Sequence, residues 1–252
     1  MISQNTIKSF FKTLYYRHLY AYSRKYYFLS IISGFILWEF AIRYMFQGGS
    51  FAESIPYTPS VHDLLLDHLP TIDMNWISTY GIEWAIKFSY IYTLILLPKR
   101  IPFMIKAFAM FKVFRGSFIV LLHVGHPFGM IPDGFADVLG GTHYLTKDLF
   151  FSGHTGYTFL AVFLFWDIKF LRYLFTVSAI LIGSTTLFMH DHYTIDVLAA
   201  FPITFTAFIV SKELFKSDWL AYKDPEYQEK EPGFMSLTPY YDKNNKFDKN
   251  MI

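Results

Sequence analysis

The stretch Tyr193-Thr-Ile-Asp-Val-Leu-Ala-Ala-Phe-Pro-Ile-Thr-Phe-Thr-Ala-Phe-Ile-Val-Ser-Lys212 decides the fold. It is apolar apart from one aspartate near its start and one lysine at its end, and a helix of that length crosses a hydrocarbon layer of ~30 Å. In lipid the backbone must satisfy its own hydrogen bonds, so such a run is read as a helix. Five more runs of the same character precede it: Tyr27–Phe46, Trp76–Leu97, Ile101–Leu122, a shorter Ser152–Trp166, and Phe170–Met189. The expectation is an all-α polytopic membrane protein with six transmembrane helices in one bundle. Residues 1–26 would form a cytoplasmic amino-terminal arm, 27–212 a six-span catalytic membrane domain and 213–252 a polar cytoplasmic tail.

Composition agrees with that class. The chain has 252 residues, of which 53% are hydrophobic and 21% aromatic and only 17% charged, too greasy for a disordered or ordinary soluble chain. It has no cysteine, which excludes disulfides, iron–sulfur clusters and thiolate zinc sites. A net charge of +2 with no separate basic face argues against nucleic acid as a partner.

Placed along the chain, the charges orient the spans. The arm holds Lys8, Lys12, Arg17, Arg24 and Lys25 and no acid; Lys99, Arg100, Lys169 and Arg172 lie in the connections after the second and fourth spans. Residues 47–75 carry Glu53, Asp63, Asp67 and Asp73 and no basic residue. By the positive-inside rule both termini are cytoplasmic and the loops after spans one, three and five face outward. The Phe-, Lys- and Asn-rich style and short loops favour a bacterial inner membrane over a eukaryotic secretory one.

That orientation brings two polar motifs to one address. His154 sits in Phe151-Ser-Gly-His-Thr155, at the outer mouth of span four; His192 and Asp196 sit in His190-Asp-His-Tyr-Thr-Ile-Asp-Val197, at the outer mouth of span six. On a helix His192 and Asp196, four apart, share a face, so the carboxylate can orient one imidazole nitrogen and leave the other as a nucleophile or base. Ser152 and Gly153 have the form of an N-cap, with helix-start amides suited to an anion. His154, beside that anion site, is placed to move a proton on a phosphate ester oxygen. Metal binding through His190, Asp191, His192 and Asp196 is the minor alternative, because on a helix His190 and His192 would point about 200° apart. His123 and His126, with Pro127 following, are assigned structural roles, as are His18, His62, His68 and His143.

Ionisable groups within the spans are functional candidates by default. Glu39 and Arg43, and Glu83 and Lys87, are spaced to pair along their own helices. Counted from the outer ends, Glu39, Glu83 and Arg115 lie at one depth, roughly 10 Å in, which suggests the floor of an outward-opening chamber. Arg115 is the candidate phosphate clamp, with Lys147 as a second; Glu39 or Glu83 would face a cationic headgroup. Lys106 is expected to snorkel to the cytoplasmic interface. Lys112 finds no explanation.

From about Arg115 to Phe205 the two motifs, in order, resemble the sphingomyelin synthase family, a branch of the type 2 phosphatidic acid phosphatase superfamily. The resemblance implies six spans with both termini cytosolic. It implies that His192 takes a phospho-headgroup as phosphohistidine, that Asp196 orients it and that His154 shuttles the proton. An aspartate six residues before the first histidine recurs in that family, and Asp148 stands there. Arg115 aligns with an arginine ahead of the family's third-loop motif. Phe151 replaces the proline usual in the phosphatase branch, and Thr186 stands where that branch has arginine; the synthase branch shares both departures, which favours transfer over hydrolysis. The family's Cys-Gly before the aspartate is Thr146-Lys147 here. The expected reaction moves a phospho-headgroup from a phospholipid donor to a lipid alcohol such as ceramide, without cofactor or metal; hydrolysis by water on the same site is the alternative.

Overall fold

The computed structural model describes residues 4–23, 25–56, 58–131 and 147–223. Arg24, His143, Thr146 and the tail beyond Lys223 lie outside the described residues. Within them the chain is all-helical, with no strand: α1 Gln4–Ser23, α2 Tyr27–Ser54, α3 Asn75–Leu96, α4 Ile101–Leu121, α5 Gly153–Leu164, α6 Lys169–Phe188, α7 Thr194–Leu214 and α8 Lys216–Lys223. Each of the six apolar runs is a helix, but α2, α6 and α7 alone are both long and apolar enough to cross a membrane. The expected six spans are therefore three by that criterion. α4 misses it with three internal charges, Lys106, Lys112 and Arg115. α5, at 12 residues, measures only about 18 Å.

α2 and α4 form the tightest pair. Along α2 the buried positions Tyr27, Gly34, Ala41 and Gly48 recur every seventh residue, so small side chains line one seam. A Cβ on Gly116 of α4 would stand 2.9 Å from the Cα of Met45, so the backbones touch. Without a hydrophobic drive between helices in lipid, close approach over small residues is what supplies the packing energy. α5 sits at the centre, against α3, α4, α6 and α7. Its buried Leu160 and Leu164 join Phe103, Phe108, Phe111 and Phe175 in the core.

The first and last described helices are both docked rather than free. α1 packs against the end of α3, where Arg17 donates to the Leu96 carbonyl at 3.0 Å and the His18 ring meets the Ile95 carbonyl at 3.1 Å. At the other end, residues 216–223 form α8, with Tyr222 buried and Trp219 5.0 Å from Phe103, ring to ring. The local sequence is polar on average, and these two aromatic anchors are what dock it. Lys106, rather than snorkelling, donates to Asp218 of α8 at 2.6 Å and to Ser30 at 2.8 Å.

Candidate active site

Two chain reversals carry the site. The first is the start of α5, where Ser152 is the N-cap and its Oγ accepts from the Thr155 amide at 3.4 Å. That puts His154 in the first turn, buried. The second is the turn between α6 and α7. His190 takes a left-handed backbone, φ 54°, a conformation costing roughly 1–2 kcal/mol in a non-glycine residue. Its Nδ1 is held at 2.8 Å from the Phe128 carbonyl. The reversal aims Asp191 and His192 inward, and both are buried.

One backbone bond joins the two motifs: the Ser152 amide donates to the Asp196 carbonyl at 3.1 Å. His154, Asp191 and His192 each present one atom to a common centre, and the three atoms lie within 4.8 Å of one another. The Nδ1 of His192 is 3.6 Å from Asp196 Oδ2, and its Nε2 is 3.8 Å from Asp191 Oδ2. The first distance is long for a hydrogen bond and of the kind that tightens when substrate binds.

The pairing of His192 with Asp196 arises differently from expectation. α7 begins only at Thr194, so His192 is not on the helix; Asp196, in the first turn, reaches back, accepting from the Tyr193 amide at 3.0 Å while facing the imidazole. The same finding corrects the argument against metal. Residues 190–192 are not helical, so the 200° separation does not apply, and His154, Asp191 and His192 converge as a donor set of two nitrogens and one oxygen that could hold a transition-metal ion. Asp191, offered by the sequence only as a ligand of the minor metal alternative, stands at the centre of the site. No periodicity flagged it, because its direction is set by the His190 turn.

Burial alone would lower the basicity of His192, but Asp196 and Asp191 outweigh it and hold the imidazole above the ordinary histidine value. Asp148 goes the other way from a typical paired carboxylate. Burial pushes it up, and Arg115 offsets this only in part.

Arg115 reaches the site from α4. Its Nη2 lies 2.8 Å from Asp148 Oδ1 and donates to the Asp148 carbonyl at 3.0 Å, while Nη1 donates to the Phe151 carbonyl. Its guanidinium lies over Gly153, where a Cβ would stand 2.9 Å from Nε. Arg115 thus braces the loop leading into α5, with its forked donors committed to Asp148 and backbone. Lys147 turns away from the histidines: its Nζ donates to the Ile55 carbonyl at 2.5 Å, and its amide donates to Glu53 at 2.8 Å. Glu39 pairs with Arg43 on the outside of α2, the two side chains 58% and 73% exposed. Glu83 pairs with Lys87 on α3. The common floor expected for Glu39, Glu83 and Arg115 is therefore not formed; of the three, Arg115 alone braces the histidine site.

An outer strap closes over the second reversal. Asp63 accepts from the Thr194 amide at 2.7 Å and the Thr194 hydroxyl at 2.8 Å, and from the Leu65 and Leu66 amides. Partial burial raises its pKa, but these four donors together hold it below the usual value. Tyr193 adds a second tie, donating to the Gly125 carbonyl at 2.8 Å.

The span from Lys147 to α7 contains both reversals, and it is this part of the chain that matches a known family. Residues 147–213 fit the family described as PAP2 superfamily C-terminal. The match supports the PAP2 superfamily and does not separate the synthase branch from the phosphatases. It points to phosphatase or phosphotransferase chemistry on lipid phosphates. No curated protein and no solved structure is a significant match to the chain.

Proposed function

We propose that the chain is an integral-membrane phosphotransferase of the sphingomyelin synthase-like kind, with His192 as nucleophile. The observation that carries the reading is the convergence of His154 and His192 across a gap one phosphorus atom can fill, with Asp196 behind the second ring. The Nε2 lone pair of His192 attacks the phosphorus of a phospholipid as the bond to the diacylglycerol oxygen breaks, and His154 gives that oxygen its proton. A lipid alcohol such as ceramide then attacks the phosphohistidine, the phosphorus–nitrogen bond breaks, and His154 takes the alcohol's proton. Helix-start amides at Gly153 offer charge stabilisation to the phosphoryl oxygens. Arg115 acts by holding the Asp148–Gly153 loop in place.

In this reading the six apolar helices all lie in the membrane as one catalytic domain, both termini are cytoplasmic, and the histidines open to the opposite face. Three helices with full spanning character and the charge bias of the loops support it. The PAP2 match favours a second reading equally, in which water accepts the phosphoryl group and the chain is a lipid phosphate phosphatase.

The deciding assay gives the purified protein headgroup-labelled phospholipid, with and without ceramide or diacylglycerol. Label appearing on the acceptor is the expected result. Water-soluble label released without any acceptor replaces transfer by hydrolysis, and no movement of label under either condition ends both readings.

A further inference from the structure

Lys112, which the sequence left without a role, stands in a box of aromatic rings beneath the histidines. Its Nζ lies 5.1 Å from the centre of the Trp38 ring and 5.9 Å from that of Tyr157. Tyr157 stacks on Phe108 at 4.2 Å, Phe108 meets Tyr90 at 5.6 Å, and Tyr90 meets Trp38 edge-on at 6.4 Å. Trp38 and Tyr157 face the ammonium, and Phe108 and Tyr90 back those two rings, so that four helices contribute to the cluster.

The box belongs to the site by position. Lys112 is one turn from Arg115 on α4, and Tyr157 is one turn from His154 on α5. α2 packs on α4 while α3 packs on α5 and α6, and Trp38 of α2 meets Tyr90 of α3. Lys112, Trp38 and Tyr90 are all only partly buried.

Among the described residues its ammonium makes no ion pair of its own, and Asp148, the carboxylate acting on it, is held by Arg115. Lys106 on the same helix has Asp218, and Arg115 has Asp148. Among the described residues Lys112 has ring faces but neither an ion pair nor a hydrogen bond. Glu39 and Glu83, the carboxylates expected to greet a cationic headgroup, are matched to Arg43 and Lys87 on their own helices. An aromatic box without a resident cation is a receptor for a quaternary ammonium. This one already holds an ammonium of its own, and a second cation entering it meets like charge at low dielectric.

We infer that Lys112 sets the donor class: it fills the box beneath the histidines and selects lipids whose headgroup carries no fixed positive charge, hydroxylated or anionic, over choline lipids. The inference rests on the lipid-phosphate reading of the site, and its test is arranged to fail separately. The full-length protein in nanodiscs containing equal phosphatidylglycerol and phosphatidylcholine is examined by native mass spectrometry for retained lipid, and in parallel by transfer or release of headgroup label. Wild type retains and uses phosphatidylglycerol in preference to phosphatidylcholine. Lys112→Met, which removes the charge and leaves the rings, shifts that ratio toward phosphatidylcholine by roughly tenfold, the scale of one desolvated cation–ring contact. Lys112→Arg keeps the wild-type preference. A wild-type protein that favours phosphatidylcholine overturns the inference, and so does an unchanged ratio in Lys112→Met. The wild-type measurement stands even if the methionine variant does not fold. The predicted retention with no label moved on any lipid would instead remove the enzymatic reading and leave the box as a lipid-selective site.

Discussion

The protein builds two buried arginine–aspartate pairs, one near each end of α4, and they behave differently. At the end that the proposed orientation makes the inner one, Arg100 forks onto Asp167 through both nitrogens, with Tyr222 closing from the side, its ring 4.5 Å from the guanidinium carbon. Burial would raise Asp167, yet Arg100 holds it below the usual carboxylate value. At the outer end Arg115 divides its donors between Asp148 and two backbone carbonyls. Asp148 is held above its usual value by burial, with Asp191 adding to the push. The inner pair fastens α8 and the α5–α6 connection. The outer pair is left short of compensation, beside two histidines whose protonation matters to the chemistry.

The largest expected contrast is between the residues at the outer pair and everything at the inner one. His192→Ala should lose about 10⁴-fold or more in turnover and take no phosphorus label from a labelled donor. His154→Ala should lose ~10²–10⁴-fold. Neither should alter the melting temperature in detergent, which the inner pair governs. A His192→Ala protein that still becomes labelled would show the nucleophile to be elsewhere.

The arginines themselves sharpen the comparison. Arg100→Met strands Asp167 and should cost about 3 kcal/mol of stability, read as a lower melting temperature, with turnover per folded molecule retained. Arg115→Met should lower turnover by ~10²-fold through loss of the loop that presents the helix-start amides, with a smaller change in melting. The opposite pattern would make the outer pair the structural one.

The smallest effect concerns pH. In the proposed mechanism His192 must be neutral to attack, and burial, which lowers its basicity, is outweighed by Asp196 and Asp191. Turnover should therefore rise with pH through a midpoint above the ordinary histidine value of about 6.5. Asp191→Asn removes one of the two carboxylates and should move that limb to lower pH. A limb that stays put would mean that Asp191 does not sense the nucleophile.

The six apolar helices and both histidine motifs were legible because hydropathy and motif spacing act along the chain. What escaped depends on rotation and on docking. Glu39 shares a depth with Arg115, but it stands two residues, about 200°, from the buried Ala41 stripe and so points outward. Residue counting gives depth and says nothing of azimuth. Asp191 enters the site through one left-handed residue at His190, which no periodicity announces. α8 is helical because Trp219 and Tyr222 find a place against Phe103, a tertiary reason invisible in a polar octapeptide. Lys112 made sense only when Trp38 of α2 and Tyr157 of α5 had come to its side.

The single backbone bond from Ser152 to the Asp196 carbonyl fastens the start of α5, which carries His154, to the first turn of α7, just past His192. Bilayers differ in thickness, and helices accommodate by tilting. Two rods tied at their mouths pivot there, so tilt is taken up at their far ends while the gap between the rings is conserved. The enzyme's rate should therefore vary little with the acyl-chain length of the host membrane, even where the inner end of the bundle must splay to fit it.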